Sequence, residues 1–164
     1  MHLKSKVLFA FSITFMLLLG TSLTSCKKCT VGTDTFSGDA LEEISVFPSG
    51  GYMTSSMGGD YHVDATHQYY DRFEISTDAG ITRTGVDYSQ YSILANPATV
   101  PCEASFDRKV TINNSNMTVV YDLTIRLCKE SKCTEMRSVE NYVAIPAVDD
   151  GIYTIIYNQT TVEM

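Results

Sequence analysis

Histidine, aspartate and tyrosine crowd into one stretch, Asp60-Tyr61-His62-Val63-Asp64-Ala65-Thr66-His67-Gln68-Tyr69-Tyr70-Asp71. Two imidazoles and a carboxylate form a common metal-ligand set, and an imidazole next to a carboxylate can move a proton. On an extended strand, His62 and Asp64 share one face and His67 takes the other. The three converge only if the chain turns between them. The plainer reading is a polar loop with surface histidines. No metal is expected, and His62, Asp64 and His67 stand as the weak candidates for one.

Tyr52, Tyr61, Tyr69, Tyr70, Tyr88 and Tyr91 fall within residues 52–91, close to glycines and short loops. Exposed tyrosine with Gly and Ser makes adaptable contact surface for protein or glycan. Tyr52, Tyr61, Tyr69 and Tyr70 are the weak binding candidates, against the plainer expectation of sheet packing. Asp149-Asp150-Gly151 reads as a tight turn rather than a calcium loop. No nucleophile elbow, dinucleotide-binding glycine pattern or phosphate loop occurs. No catalytic residue and no cofactor is therefore expected. The formal charge of −7, with 12 Lys+Arg against 19 Asp+Glu, argues against a nucleic-acid partner.

The positioning elements read as short strands. Candidates are Leu41–Phe47, Tyr52–Met57, Tyr61–Ala65, Tyr69–Ser76, Ile81–Val86, Tyr88–Leu94, Glu135–Ile145 and Ile152–Tyr157. Turn signals recur between them, and none shows a long 3.6-residue period. Phe106–Ile112 and Met117–Leu127 alternate apolar and polar residues and form a hairpin around Asn113-Asn114-Ser115-Asn116. Pairing Ile112 with Met117 sets Val110 opposite Val119 and Phe106 opposite Leu123. An antiparallel β-sandwich, immunoglobulin-like or similar, is expected, with a small β-barrel as the alternative.

The N-terminus reads as an address. Lys4 and Lys6 precede an apolar run, Val7–Leu19, too short for an ordinary membrane span. Leu23-Thr24-Ser25-Cys26 closes it. This segment resembles the lipobox of bacterial lipoproteins, and the Lys27-Lys28 and Thr/Gly/Ser-rich segment that follows is similar in style to lipoproteins of Bacteroidota. The resemblance implies cleavage before Cys26, a lipid on Cys26 and attachment to a membrane, with the outer membrane favoured because no Asp follows the cysteine. An ordinary secretory signal cut after Ser22 or Ser25, or an uncleaved anchor, are the alternatives. The organisation expected is a signal peptide at 1–25, a lipidated flexible tether at 26–40 and an all-β domain at 41–164. Loss of residues 1–25 removes two lysines and no acid, which takes the charge to −9.

With Cys26 lipidated, Cys29, Cys102, Cys128 and Cys133 remain, an even number in an exported domain. Two disulfides are expected. Cys128–Cys133 across a four-residue polar loop, with Cys29–Cys102, is the favoured pairing of the three possible.

The function expected is that of a non-catalytic envelope lipoprotein, a binding or structural module facing the periplasm or the cell surface. Its partner is the membrane through Cys26, and beyond that an envelope protein or glycan. One alternative is the metal-dependent protein or enzyme centred on His62, Asp64 and His67. Another is a periplasmic inhibitor of a host hydrolase, its acidic surface meeting a basic enzyme.

Overall fold

The computed structural model describes residues 32–49, 59–101, 104–128, 135–149 and 151–164. They form an all-β, sandwich-like fold of twelve strands, with a 3-10 turn at Tyr70–Arg72. The strands are β1 (Thr35–Gly38), β2 (Ser45–Pro48), β3 (Tyr61–Val63), β4 (Phe73–Ser76), β5 (Thr84–Gly85) and β6 (Tyr91–Ala95). β7 (Ala98–Pro101), β8 (Ala104–Asn113), β9 (Thr118–Leu127), β10 (Met136–Val139), β11 (Tyr142–Pro146) and β12 (Thr154–Glu163) complete the set. Four sheets result: β1-β8-β9-β12, β10-β7, β11-β6-β3 and β2-β4-β5.

The β8–β9 hairpin is the spine. Val119, Tyr121, Leu123 and Ile125 of β9 are buried, as are Phe106 and Val110 of β8. They pack against Leu94, Ala98, Val100, Val143 and Ile145 from β6, β7 and β11. The opposite face of β6 and β11, through Ile93 and Ala144, packs against β2 and β4. β6 is therefore a middle layer. This explains its nearly unbroken apolar run: a strand covered on both faces has no polar face to alternate. Its Ser92 is satisfied locally, donating to the Val148 carbonyl at 3.1 Å and accepting from the Val148 amide at 3.1 Å.

The hairpin register departs from expectation by two residues. Ile112 faces Val119, Val110 faces Tyr121 and Phe106 faces Ile125. A two-residue slip returns each side chain to its own face, so the apolar pattern fits both registers. The turn decides. Asn113 Oδ1 accepts from the amides of Ser115 at 2.9 Å and Asn116 at 3.3 Å, and Met117 takes φ 52°. Met117 thereby joins the loop instead of opening the strand.

Other boundaries shift too. Leu41–Ile44 is a turn, and β2 begins only at Ser45. The expected Ile81–Val86 strand shrinks to Thr84–Gly85. Glu135–Ile145 splits at Glu140-Asn141, where Asn141 has φ 48°. Part of the segment expected as a tether, 26–40, is strand: Thr35–Gly38 pairs parallel with Asp107–Val110. The last strand is longer than Ile152–Tyr157 and runs parallel to β9 for ten residues. Tyr52–Met57 lies outside the described residues.

Candidate functional site

The inward alternation of β8 runs Phe106, Arg108, Val110, so a guanidinium sits on the core face at 7% exposure. A charge taken out of water needs fixed partners. β1 supplies the first, because its parallel pairing sets Phe36 beside Arg108 and Asp34 just before it. Arg108 Nη1 donates to Asp34 Oδ2 at 3.0 Å, and the Phe106 amide donates to Asp34 Oδ1 at 3.1 Å. The guanidinium carbon lies 5.1 Å from the Phe36 ring centre and 5.3 Å from that of Phe106.

Asn141 supplies the second partner. Arg108 Nη2 donates to Asn141 Oδ1 at 2.8 Å, and Asn141 Nδ2 donates to the carbonyls of Asn96 at 3.2 Å and Val139 at 3.3 Å. The Asn141 carbonyl accepts from Tyr121 Oη at 2.7 Å. Asparagine tolerates the left-handed backbone that places these groups. Burial pushes the Tyr121 phenol well above its ordinary pKa, with the nearby Arg108 pulling weakly the other way. The phenol thus stays a neutral donor. Arg108, Asn141 and Tyr121 pin the long sheet to the middle layer.

Beside this pin lies a cavity of about 530 Å³. Phe36, Val46, Val139 and Tyr142 give it apolar wall, and Glu42, Arg137 and Glu140 give it charge. Among the described residues, β2, β10 and β11 each have a single ladder partner, β11 also taking the Leu41 amide on its Ala144 carbonyl at 2.9 Å, and all three reach the cavity. Unpaired strand edges present rows of backbone donors and acceptors. Glu140 Oε2 is buried and has no hydrogen-bond partner among the described residues.

The residues singled out by sequence go elsewhere. Asp64 Oδ1 accepts from the Thr66 amide at 2.8 Å, the Thr66 hydroxyl at 2.7 Å and the His67 amide at 3.1 Å. His67 Nδ1 accepts from the Tyr69 amide at 3.3 Å. Asp64 and His67 are thus occupied in building a turn, while His62 is buried in β3. Among the described residues, no three His, Cys, Asp or Glu side chains are placed to share a metal ion. A smaller hollow of about 290 Å³ includes Asp64, Tyr88 and Asp149 in its wall, but neither histidine.

Tyr61 and Tyr69, both partly buried, pack against the cluster of Val63, Phe73 and Ile93. Tyr70 is exposed, and its carbonyl accepts from Tyr88 Oη at 2.9 Å. Cys128 is buried. It lies one residue past the end of β9, where the strand alternation that would turn it outward no longer applies. Tyr52, Cys26, Cys29, Cys102 and Cys133 lie outside the described residues.

Sequence reasoning missed Arg108, Asn141, Arg137 and Glu140. The signal for Arg108 was present: an arginine at an inward position, between Phe106 and Val110. The fold defines an all-β, sandwich-like domain. No family model matches the chain, and no curated protein and no solved structure matches it either. Among the described residues, no helix is long and apolar enough to cross a membrane.

Proposed function

We propose that this chain is a lipid-anchored envelope protein whose domain is a non-catalytic binding module. Its groove takes an extended peptide segment bearing basic side chains. The anchor reading rests on Leu23-Thr24-Ser25-Cys26, after a basic start and a 13-residue apolar run. In an exported domain, Cys133 is the partner assigned to Cys128, which leaves Cys29 for Cys102.

The observation that carries the binding reading is the meeting of three strands with a single ladder partner each, β2, β10 and β11, around a single cavity. An extended peptide pairs with such edges through its backbone and sets alternate side chains into the wall. Glu42 and Glu140 outnumber Arg137 in the wall, and with the acidic chain as a whole they favour a basic segment.

Fluorescence anisotropy on the mature chain in detergent tests this, with labelled (Val-Lys)4 and (Val-Glu)4 octapeptides as probes. The basic probe is expected to bind with a Kd on the order of 10 µM, at least about tenfold tighter than the acidic one. Glu140→Gln is expected to weaken the basic probe roughly fivefold, and Glu163→Gln, outside the groove, to leave it unchanged. Equal binding of both probes, or equal loss in both variants, contradicts the groove as the site.

A further inference from the structure

The two edges of the β1-β8-β9-β12 sheet are built differently. β1 is four residues long and ends at Gly38, which turns the chain away. β12 is ten residues long, and its parallel register with β9 runs unbroken from Thr154↔Thr118 to Glu163↔Leu127. Among the described residues, nothing pairs with its other side. Open edges are usually guarded by proline, lysine, a bulge or shortness. Thr154-Ile155-Ile156-Tyr157-Asn158-Gln159-Thr160-Thr161-Val162-Glu163 has none of these, and Glu163 is its one charge. Ile156, Val162 and Met164 stand 42%, 43% and 49% exposed on the same face.

We infer that β12 is a homodimerisation edge, pairing antiparallel with β12 of a second copy around a two-fold axis at Gln159. Such symmetry places like faces together, so even-numbered residues meet even-numbered ones. With Gln159 on the axis, Ile156 faces Val162 of the other copy, Asn158 faces Thr160 and Thr154 faces Met164. Ile156 and Val162 thereby find each other, twice over. Glu163 faces Ile155, so acid does not meet acid, despite a chain charge of −7. On the outer face, Asp122 is engaged by Asn158 Nδ2 at 2.8 Å, and Arg126 pairs with Asp107. No like-charge contact opposes the pairing there. The edge is about 33 Å long, from ten residues at about 3.3 Å each. Such a contact buries on the order of 1,000 Å², the lower limit for a specific interface, so the dimer is weak and concentration-dependent. The result is one continuous sheet, with two β12 strands at its centre.

Sedimentation velocity of the mature chain in detergent, from about 1 µM to about 1 mM, tests this. A monomer–dimer equilibrium with a Kd of roughly 100 µM is expected. Ile156→Lys changes an exposed side chain and is expected to weaken the dimer at least about tenfold. The double variant Ile156→Lys/Val162→Glu is expected to recover it, because the introduced charges meet only across the axis. Hydrogen exchange at both ends of the concentration range is expected to show β12 amides protected in the dimer. A chain that stays monomeric throughout overturns the inference. So does a dimer indifferent to Ile156→Lys, or a double variant no better than the single one.

Discussion

Arg108→Leu is expected to lower the free energy of unfolding by about 3 kcal/mol, the sum of a lost charged hydrogen-bond pair and a buried acceptor left empty. Asn141 is 3% exposed, so its Oδ1 loses Nη2 without gaining bulk solvent. The Asp34 side chain is 45% exposed and recovers solvent, which limits the loss on that side. Leucine adds apolar contact with Phe36 and Phe106, but the guanidinium already covers both rings. Urea unfolding followed by tyrosine fluorescence is expected to show a lower midpoint with an unchanged slope, and Tm is expected to fall by about 10 °C. Asp34→Asn keeps one acceptor and is expected to lose only about 1 kcal/mol. A midpoint unchanged in Arg108→Leu would show that the pin between the two layers carries no stability.

Gly38→Ala is expected to be comparably damaging, for a steric reason. Gly38 has φ 72°, and a Cβ there runs into the Val110 carbonyl oxygen. The same carbonyl accepts from the Asp39 amide at 2.9 Å, and Asp39 Oδ2 accepts from the Ile112 amide at 2.7 Å. The chain cannot leave β1 along this path and also carry a methyl group. β1 must detach, and Asp34 and Phe36 leave Arg108 with it. A loss of roughly 3 kcal/mol is expected, together with faster hydrogen exchange in the β8 amides that face β1. Gly59→Ala separates the two causes. Gly59 also has positive φ, 101°, but among the described residues nothing lies within 4 Å of its Cβ position. It is expected to lose about 1 kcal/mol from backbone conformation alone. Equal losses at the two sites would remove the steric argument.

The sequence made the all-β class legible through its turn spacing and through the alternation of β8 and β9. Partner choice was not legible. Nothing local in Thr35–Gly38 or Thr154–Glu163 announces parallel pairing with the spine, because a strand's own pattern reports its faces and not its neighbour. The two-residue register error arose the same way: period two accepts both registers, and only the side chain of Asn113 and the backbone of Met117 distinguish them. The break at Asn141 was hidden because Tyr142–Ile145 continues the apolar run of Val139. In the His62–His67 stretch, Thr66 two residues after Asp64 was a side-chain-capped turn signal, and it outweighs the donor set. The groove was beyond local pattern, since its walls come from residues near 36, 46, 108 and 139.

The proposed tether holds residues 26–164 to a membrane by lipid on Cys26 and leaves the folded body and its groove free for a partner. Intact mass of the chain extracted from the membranes of a bacterial host tests it most directly. The expected result is the mass of residues 26–164 plus at least a diacylglyceryl group, with four alkylatable thiols appearing only after reduction. A mass that retains residues 1–25, or one that begins near Cys26 without lipid, contradicts it.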